Sequence, residues 1–345
     1  MKTVCVIGHF GGDQSFCEGQ TVKTKVLTQA LRDALGQDQV DTVDTYGGMK
    51  VLLRCVIRSM AALKHSKNVV ILPAQNGVQV FAPLLVAGNL IFRRKLHYAV
   101  VGGWLPEFLK NKPVLRWVLK KFHGIYVETN HMKKAMEAMG FKNITIMPNC
   151  KDVRILTPEE LIYPTQKPFR LCTFSRVTKP KGIEDAVNAV KAINEKRGER
   201  VYTLDIYGQI DPNETGWFED LQQTFPEYIT YKGMAPFDQS VEILKDYFAL
   251  LFPTFYHGEG FAGTLIDAMA SGIPTIASDF RFNSEIVLEG ITGRLHPTTD
   301  VPAMVKILEE ACDNTDLWNA MKCNCIENAK KYTISNVACI LIEQL

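Results

Sequence analysis

The chain lacks an apolar run long enough to cross a bilayer. Its longest candidate, Val78 to Phe92, is broken by Gln79, Pro83 and Asn89 and falls short of the ~20 residues a spanning helix needs. No signal peptide is expected at its start either: Met1 to Gly8 reads as a strand reaching a turn, with too short an apolar stretch. The nine cysteines are scattered, odd in number and without metal-like spacing. That excludes a disulfide framework and leaves reduced thiols, as in a cytosolic protein. Cys323 and Cys325 fall in a helical pattern and read as incidental. Two familiar phosphate signatures are also absent. The first loop, Gly8-His9-Phe10-Gly11-Gly12-Asp13, is neither Gly-x-Gly-x-x-Gly nor a loop ending in Gly-Lys-Ser/Thr, so dinucleotide and ATP readings lose their motif. No internal repeat or low-complexity tract occurs.

What is present suits a two-domain globular protein. A chain of 345 residues, 46% hydrophobic, can bury two cores. Its net charge of +2 conceals an imbalance: residues 1–155 carry 22 Lys and Arg against 10 Asp and Glu, and the remainder 17 against 27. A basic half attracts an anionic partner through its long-range field, whether lipid, nucleic acid or a phosphorylated substrate. No stacking platform or recognition motif accompanies the basic patches, which argues against nucleic acid.

Strand-like runs alternate with amphipathic segments, the pattern of parallel βαβ units. Strands are expected near residues 3–8, 39–45, 68–73, 96–102, 124–128 and 144–147, then near 169–175, 201–207, 229–232, 250–253 and 274–277. Between the sets, Pro148 to Pro168 shows no strand and reads as a linker. Two doubly wound domains, residues 1–155 and 156–330, are therefore expected, with ligands held at the carboxyl ends of the strands in a cleft that both domains face.

The densest chemistry lies in Gly258-Glu259-Gly260-Phe261-Ala262-Gly263-Thr264-Leu265-Ile266-Asp267, continuing to Ser271-Gly272-Ile273-Pro274. A buried strand, residues 249–253, leads into a glycine turn. Thr264 is the expected N-cap of the next helix, Gly272 its stop, and Pro274 prevents its resumption. Helix-start amides can hold phosphate oxygens. Carboxylates cannot, but they accept hydrogen bonds from hydroxyls. Phosphate with hydroxyls at both ends describes a sugar nucleotide.

This segment resembles the signature of glycosyltransferase family 4, two acids separated by seven residues, in proteins of GT-B fold. The second acid here is Asp267, where the family has Glu. The resemblance implies that Glu259 meets the donor sugar, that Asp267 meets the ribose, and that Phe261, Ala262, Gly263 and Thr264 help bind phosphate or sugar. It also implies that the last helix, about residues 331–345, packs back on the first domain. Phe174-Ser175-Arg176-Val177-Thr178-Lys179-Pro180-Lys181-Gly182 resembles the family's Arg…Lys-Gly motif. Arg176 and Lys181 then neutralise the leaving diphosphate, with no metal and no cofactor required. Gly11 and Gly12 let backbone approach the donor.

One departure stands out. Many members carry a His after the strand that here ends near Val101, and this chain has Gly102-Gly103-Trp104-Leu105-Pro106-Glu107 there. Trp104 could stack on a sugar, with core packing its competing reading, and Glu107 could bind acceptor hydroxyls. His97 reads as structural, Lys23 as an exposed helix lysine with a cleft-facing position as the alternative, Asn149 as a turn residue, and Glu285 as a helix-start or supporting acid. Residues 49–67 place Lys50, Arg54 and Arg58 on one helix face, with Val51, Leu52, Cys55, Val56, Met60 and Leu63 as apolar area. Such a helix could lie on an anionic membrane or pack on the sheet. The expected protein is a cytoplasmic transferase, free or peripheral on the inner face of the cell membrane, taking a sugar from a UDP-, GDP- or dTDP-sugar to a hydroxyl acceptor. The acceptor is expected to be a lipid-linked saccharide of capsule or exopolysaccharide assembly, and retention of configuration follows from the resemblance alone. A nucleotide-sugar epimerase or hydrolase, or a non-catalytic binding subunit, are the alternatives.

Overall fold

A computed structural model describes residues 1–12, 19–47, 51–236 and 238–345. Asp13 and Lys50 therefore lie outside the described residues, as does the Leu52 side chain. The chain divides into two compact units, residues 1–152 with 332–345, and residues 153–331.

The first unit is built on six parallel strands: β1 (Lys2–Gly8), β2 (Val40–Asp44), β3 (Ser66–Ile71), β4 (Lys95–Ala99), β5 (Gly124–Val127) and β6 (Ile144–Ile146). Their order across the sheet is β2-β1-β3-β4-β5-β6, and β1 pairs on both flanks, Val6 with Thr42 and with Val70. A strand covered on both faces needs continuous apolar residues, and Val4, Cys5, Val6 and Ile7 are all buried. The helices are α1 (Gly19–Leu35), α2 (Leu52–His65), α3 (Gln75–Phe92), α4 (Leu105–Leu109), α5 (Pro113–Leu119) and α6 (Asn130–Ala138). Right-handed crossovers put helices on one sheet face when the chain steps one way and on the other when it turns back. Accordingly α2, α3 and α5 touch in series.

The second unit repeats the scheme with β7 (Phe169–Phe174), β8 (Tyr202–Tyr207), β9 (Ile229–Gly233), β10 (Ala249–Phe252), β11 (Thr275–Ser278) and β12 (Gly293–His296), ordered β12-β11-β10-β7-β8-β9. Its helices are α7 (Ile183–Arg197), α8 (Thr215–Gln223), α9 (Ser240–Leu244), α10 (Gly263–Ala270), α11 (Asn283–Ile286), α12 (Val301–Asp313) and α13 (Thr315–Ala329). β12 was not expected: Gly-Arg-Leu-His has neither alternation nor an apolar run, and only pairing with β11 makes it a strand. The core centres on Phe248, stacked on Phe169 at 4.6 Å and close to Trp318 at 5.8 Å.

The 148–168 segment divides between the units at 152/153. Its later part packs rather than spans: the Leu156 amide donates to the Ala270 carbonyl at 2.9 Å, and Leu156 and Leu161 are buried. α14 (Ile334–Ile342) contacts α1, and Val337, Ala338 and Leu341 join Val4, Val6, Leu27 and Leu31 in the first unit's core.

Candidate functional site

The expected site residues divide between the units. Gly11, Gly12, Trp104 and Glu107 lie in the first; Arg176, Lys181, Glu259, Phe261, Ala262, Gly263, Thr264 and Asp267 lie in the second.

In the second unit, β7 and β10 are neighbours, so the loops leaving their carboxyl ends emerge side by side. Residues 175–182 leave β7, and residues 253–262 leave β10. The two loops are joined by backbone, the Phe255 amide donating to the Pro180 carbonyl at 2.7 Å. Gly182 allows the close approach: its φ is +70°, and a Cβ there would sit 2.2 Å from the Pro253 carbonyl oxygen. This juxtaposition brings Lys181 Nζ within 2.6 Å of Glu259 Oε2, with both side chains about nine-tenths buried. Thr254 Oγ1 donates to the same Glu259 oxygen at 2.9 Å. Lys181 Nζ also lies 5.3 Å from the centre of the Tyr256 ring, and the Arg176 guanidinium lies 5.8 Å from the same ring. Arg176 is half exposed, and its nearest carboxylate, Asp211, is 3.9 Å away. One carboxylate, one buried ammonium, one half-exposed guanidinium and an aromatic plane therefore share one loop cluster.

α10 begins immediately beyond. Its N-cap is Ala262, one position before its first helical residue, Gly263. Thr264 is not the cap, a correction to the sequence reading: its hydroxyl donates to the Phe174 carbonyl at 2.7 Å, fastening the helix start to the end of β7. The Leu265 amide donates to the Ala262 carbonyl at 3.1 Å, whereas the Gly263 and Thr264 amides precede any intrahelical acceptor; Ala262, Gly263 and Thr264 are partly exposed, and Phe261 is buried. The helix closes as expected at Gly272 (φ +67°), with the Ile273 amide on Ala268 and the Gly272 amide on Met269, the paired bonds of a glycine-terminated helix. Asp267 is 2% exposed, and Oδ1 accepts from Ser240 on α9 at 3.0 Å.

In the first unit the glycine loop is already anchored. Gly11 and Gly12 have φ of +84° and +56°. The Phe10 and Gly12 amides, at 2.9 and 3.0 Å, and the Tyr46 amide, at 2.9 Å, all donate to the Asp44 carboxylate at the end of β2. Partial burial pushes the Asp44 carboxyl up, but the three amides and nearby His9 outweigh it and hold it below the usual carboxylate value. Sequence reasoning missed Asp44; the available signal was an acid ending a strand beside a glycine loop. Trp104 is half-buried, its indole donating to the Val101 carbonyl at 2.8 Å and its ring edge-on to Phe108. Glu107 is exposed and pairs with Lys110 at 2.6 Å.

Lys23 corrects the sequence reading. It is buried, with Nζ 2.6 Å from Glu128 Oε1 and 3.1 Å from the Val100 carbonyl. His97 is core, as read: Nδ1 meets Tyr126 Oη at 3.0 Å, and burial, with His123 and Lys95 nearby, pushes its pKa down to about 3. The apolar face assigned to residues 49–67 packs on the sheet, one of its two expected placements. Cys55 and Leu63 point into the core, whereas Leu53 and Ile57 are exposed.

With this geometry in place, similarity to known proteins is informative. Residues 168–314 match the family described as glycosyl transferases group 1. This segment holds every second-unit site residue. The chain is 25% identical over 146 residues to the amylovoran biosynthesis glycosyltransferase AmsK of Erwinia amylovora, covering 41% of this chain and 35% of that protein. It is 26% identical over 270 residues to the GtfA subunit of a UDP-N-acetylglucosamine–peptide N-acetylglucosaminyltransferase of Streptococcus pneumoniae, covering 73% of this chain and 50% of that one. The chain thus spans about a third to a half of the curated relatives it matches. Among solved structures, a sucrose-phosphate synthase of Thermosynechococcus elongatus superposes with TM-score 0.76 at 15% identity, covering 99% of this chain and 98% of that one. Anabaena HepE in complex with UDP does so with TM-score 0.74 at 14% identity, covering 99% of each. The fold is GT-B, two Rossmann-like units carrying the group 1 segment in the second.

Proposed function

We propose that the protein is a glycosyltransferase that moves a sugar from a nucleoside-diphosphate sugar to a hydroxyl acceptor, with its donor site in the second unit. The observation that carries this reading is the buried Lys181–Glu259 pair on the loops beside the partly exposed start of α10 and the half-exposed Arg176. Donor phosphates have cations and helix-start amides to meet there. Arg176 is the half-exposed cation. Lys181 reaches phosphate only by sharing or leaving Glu259, so charge building on the leaving diphosphate would draw it across. Glu259, held by Lys181 and Thr254, accepts from sugar hydroxyls and fixes the ring over the phosphate. Asp267, whose Oδ1 already accepts from Ser240, would bind ribose hydroxyls through its remaining acceptor capacity or in exchange for that contact.

The remaining features of this reading are a UDP-, GDP- or dTDP-sugar donor, retention of configuration, no cofactor or metal, and a lipid-linked saccharide acceptor in surface polysaccharide assembly. Polysaccharide assembly is supported by the AmsK likeness, a UDP donor by the names of the GtfA relatives and the HepE complex. Trp104 and Glu107 are the proposed acceptor contacts, and Gly11 and Gly12 the first unit's contribution to the donor.

The test is Glu259→Gln, which removes charge at constant volume. Transfer from a panel of UDP-, GDP- and dTDP-sugars should fall by roughly 10²–10³-fold, the range for losing one aimed polar group; the melting temperature should fall as well, because Lys181 is left without its buried carboxylate, and circular dichroism at the assay temperature shows that the variant is still folded. Unaltered turnover would sink the role assigned to Glu259. Donor hydrolysis or epimerisation outpacing transfer would instead favour the alternative chemistry on the same site.

A further inference from the structure

The outer helix layer of the first unit is unusual for a surface exposed to water. α3 is 18 residues long and contains no charged side chain. Its inward residues Val78, Phe81, Ala82 and Leu85 are buried, as they must be. Yet Val80 and Ile91 point outward, in register with Leu84 and Ala87 at helical spacing, a stripe running about 16 Å along the axis at 1.5 Å per residue. Leu90 and Ile91 are 78% and 77% exposed. α3 lies between α2 and α5 in the layer, and each neighbour adds to the stripe. α2 exposes Leu53 and Ile57; α5 exposes Val114 at 73% and Trp117 at 60%. Lys112, at the head of α5, hydrogen-bonds Gln79 of α3 at 2.8 Å, so these two helices present their outer faces together.

Charge selects the occupant. Between residues 51 and 125 there are twelve lysines and arginines and a single acid, Glu107. Arg54 on α2, Arg93 after α3, Lys110 after α4, and Lys120 and Lys121 after α5 are exposed; Lys110 pairs with Glu107 and Lys120 Nζ donates to the Met139 carbonyl at 2.8 Å, while Lys121 Nζ sits 5.2 Å from the centre of the Trp117 ring. An uncharged apolar centre, an amphipathic tryptophan and a cationic rim match the layers of an anionic bilayer surface: acyl chains, interface and phosphate headgroups. No helix among the described residues is long and apolar enough to span, so the contact is lateral.

We infer that the α2–α3–α5 face docks on anionic phospholipid membrane, with Trp117, Val114, Leu90 and Ile91 entering the interface and Lys120 and Lys121 meeting headgroup phosphate. This goes beyond the transferase reading and does not depend on it, because docking is measured without donor or acceptor.

The full chain is sedimented with phosphatidylcholine vesicles and with vesicles containing 30% phosphatidylglycerol. It should partition onto the second and hardly onto the first, and lose binding as salt rises. At about 1 kcal/mol per lysine near such a surface, Lys120→Ala with Lys121→Ala should weaken binding on the order of tenfold or more. Leu90→Ser with Ile91→Ser should weaken it comparably, and brominated lipid should quench wild-type fluorescence more than that of Trp117→Phe. Melting temperatures within a few degrees of wild type show that the variants fold. Equal partition onto both vesicle types, no partition onto either, or binding indifferent to both double variants overturns the inference. So does concentration-dependent self-association abolished by Leu90→Ser with Ile91→Ser, which assigns the face to a second copy of the chain.

Discussion

Lys181 and Glu259 are 78 positions apart in sequence, yet each is the other's principal partner. A pair so far removed from water is worth most when both members are present, since either alone leaves an uncompensated buried charge. Lys181→Met should therefore destabilise the protein as well as slow transfer. The double variant Lys181→Met/Glu259→Gln should recover stability but not activity, which a double-mutant cycle read by denaturant unfolding checks. A second buried lysine gives a pH signature. Lys322 on α13 is buried against the Gly272 carbonyl, and burial pushes its pKa from 10.5 down to about 8, partly offset by Cys325. Between those values the unfolded chain binds more protons, so the stability of the native state rises from about pH 8 to about 10.5; below pH 8 the cost of burying the ammonium is fully present. Lys322→Met should raise stability at pH 7 on the order of 2 kcal/mol and flatten that rise, as urea unfolding at pH 7, 8 and 10 will show. Residue identity alone misled at Lys23, whose helix position looked solvated. Which helix face meets the sheet depends on a strand pair 77 and 105 residues away, Val100 and Glu128.

Elements were more legible than their ends. The β10–turn–α10 unit is readable because an apolar run, a glycine turn and a glycine-proline stop are local chemistry. The cap was misassigned because the helix already begins at Gly263, which puts Thr264 inside its first turn, where its hydroxyl donates to the distant Phe174 carbonyl. β12 escaped notice because its only reason to be extended is its neighbour. α7 shows local signals agreeing with one another: Glu184 and Asp185 in its first turn, Lys196 and Arg197 in its last, and Gly198 in the left-handed conformation beyond, each suited to the helix dipole or its end. Its start depends on Gly182. Gly182→Ala places a methyl group in contact with a backbone carbonyl that cannot yield cheaply. It should cost at least about 2 kcal/mol and displace Lys181, so that thermal stability and transfer fall together, whereas Gly198→Ala, open to solvent, should cost far less and leave transfer intact.

At the scale of the whole molecule, two parallel sheets each carry their own core, and the final helix serves the first of them. Leu341 is fully buried in the first unit's core, so Leu341→Ala should cost about 2–5 kcal/mol. If calorimetry resolves two transitions, only the one belonging to the first unit should move; movement of both together would instead reveal one cooperative block. The charge imbalance read from the sequence acquires its meaning at this scale as well, because helical crossovers gather α2, α3 and α5 on one side and assemble scattered cations into a rim around uncovered apolar residues.

Local chemistry, then, determined the strand-and-helix alternation, the glycine turns, and the residue types able to meet a sugar nucleotide, because each depends on neighbours within a few positions. Tertiary structure alone decided that Glu259 is locked to Lys181 and Thr254, that Asp267 faces Ser240, that Asp44 already fills the first glycine loop, and that α3 leaves its apolar stripe uncovered. Those facts are distances between residues remote in sequence, and only the parallel order of the strands brings them within reach of a hydrogen bond.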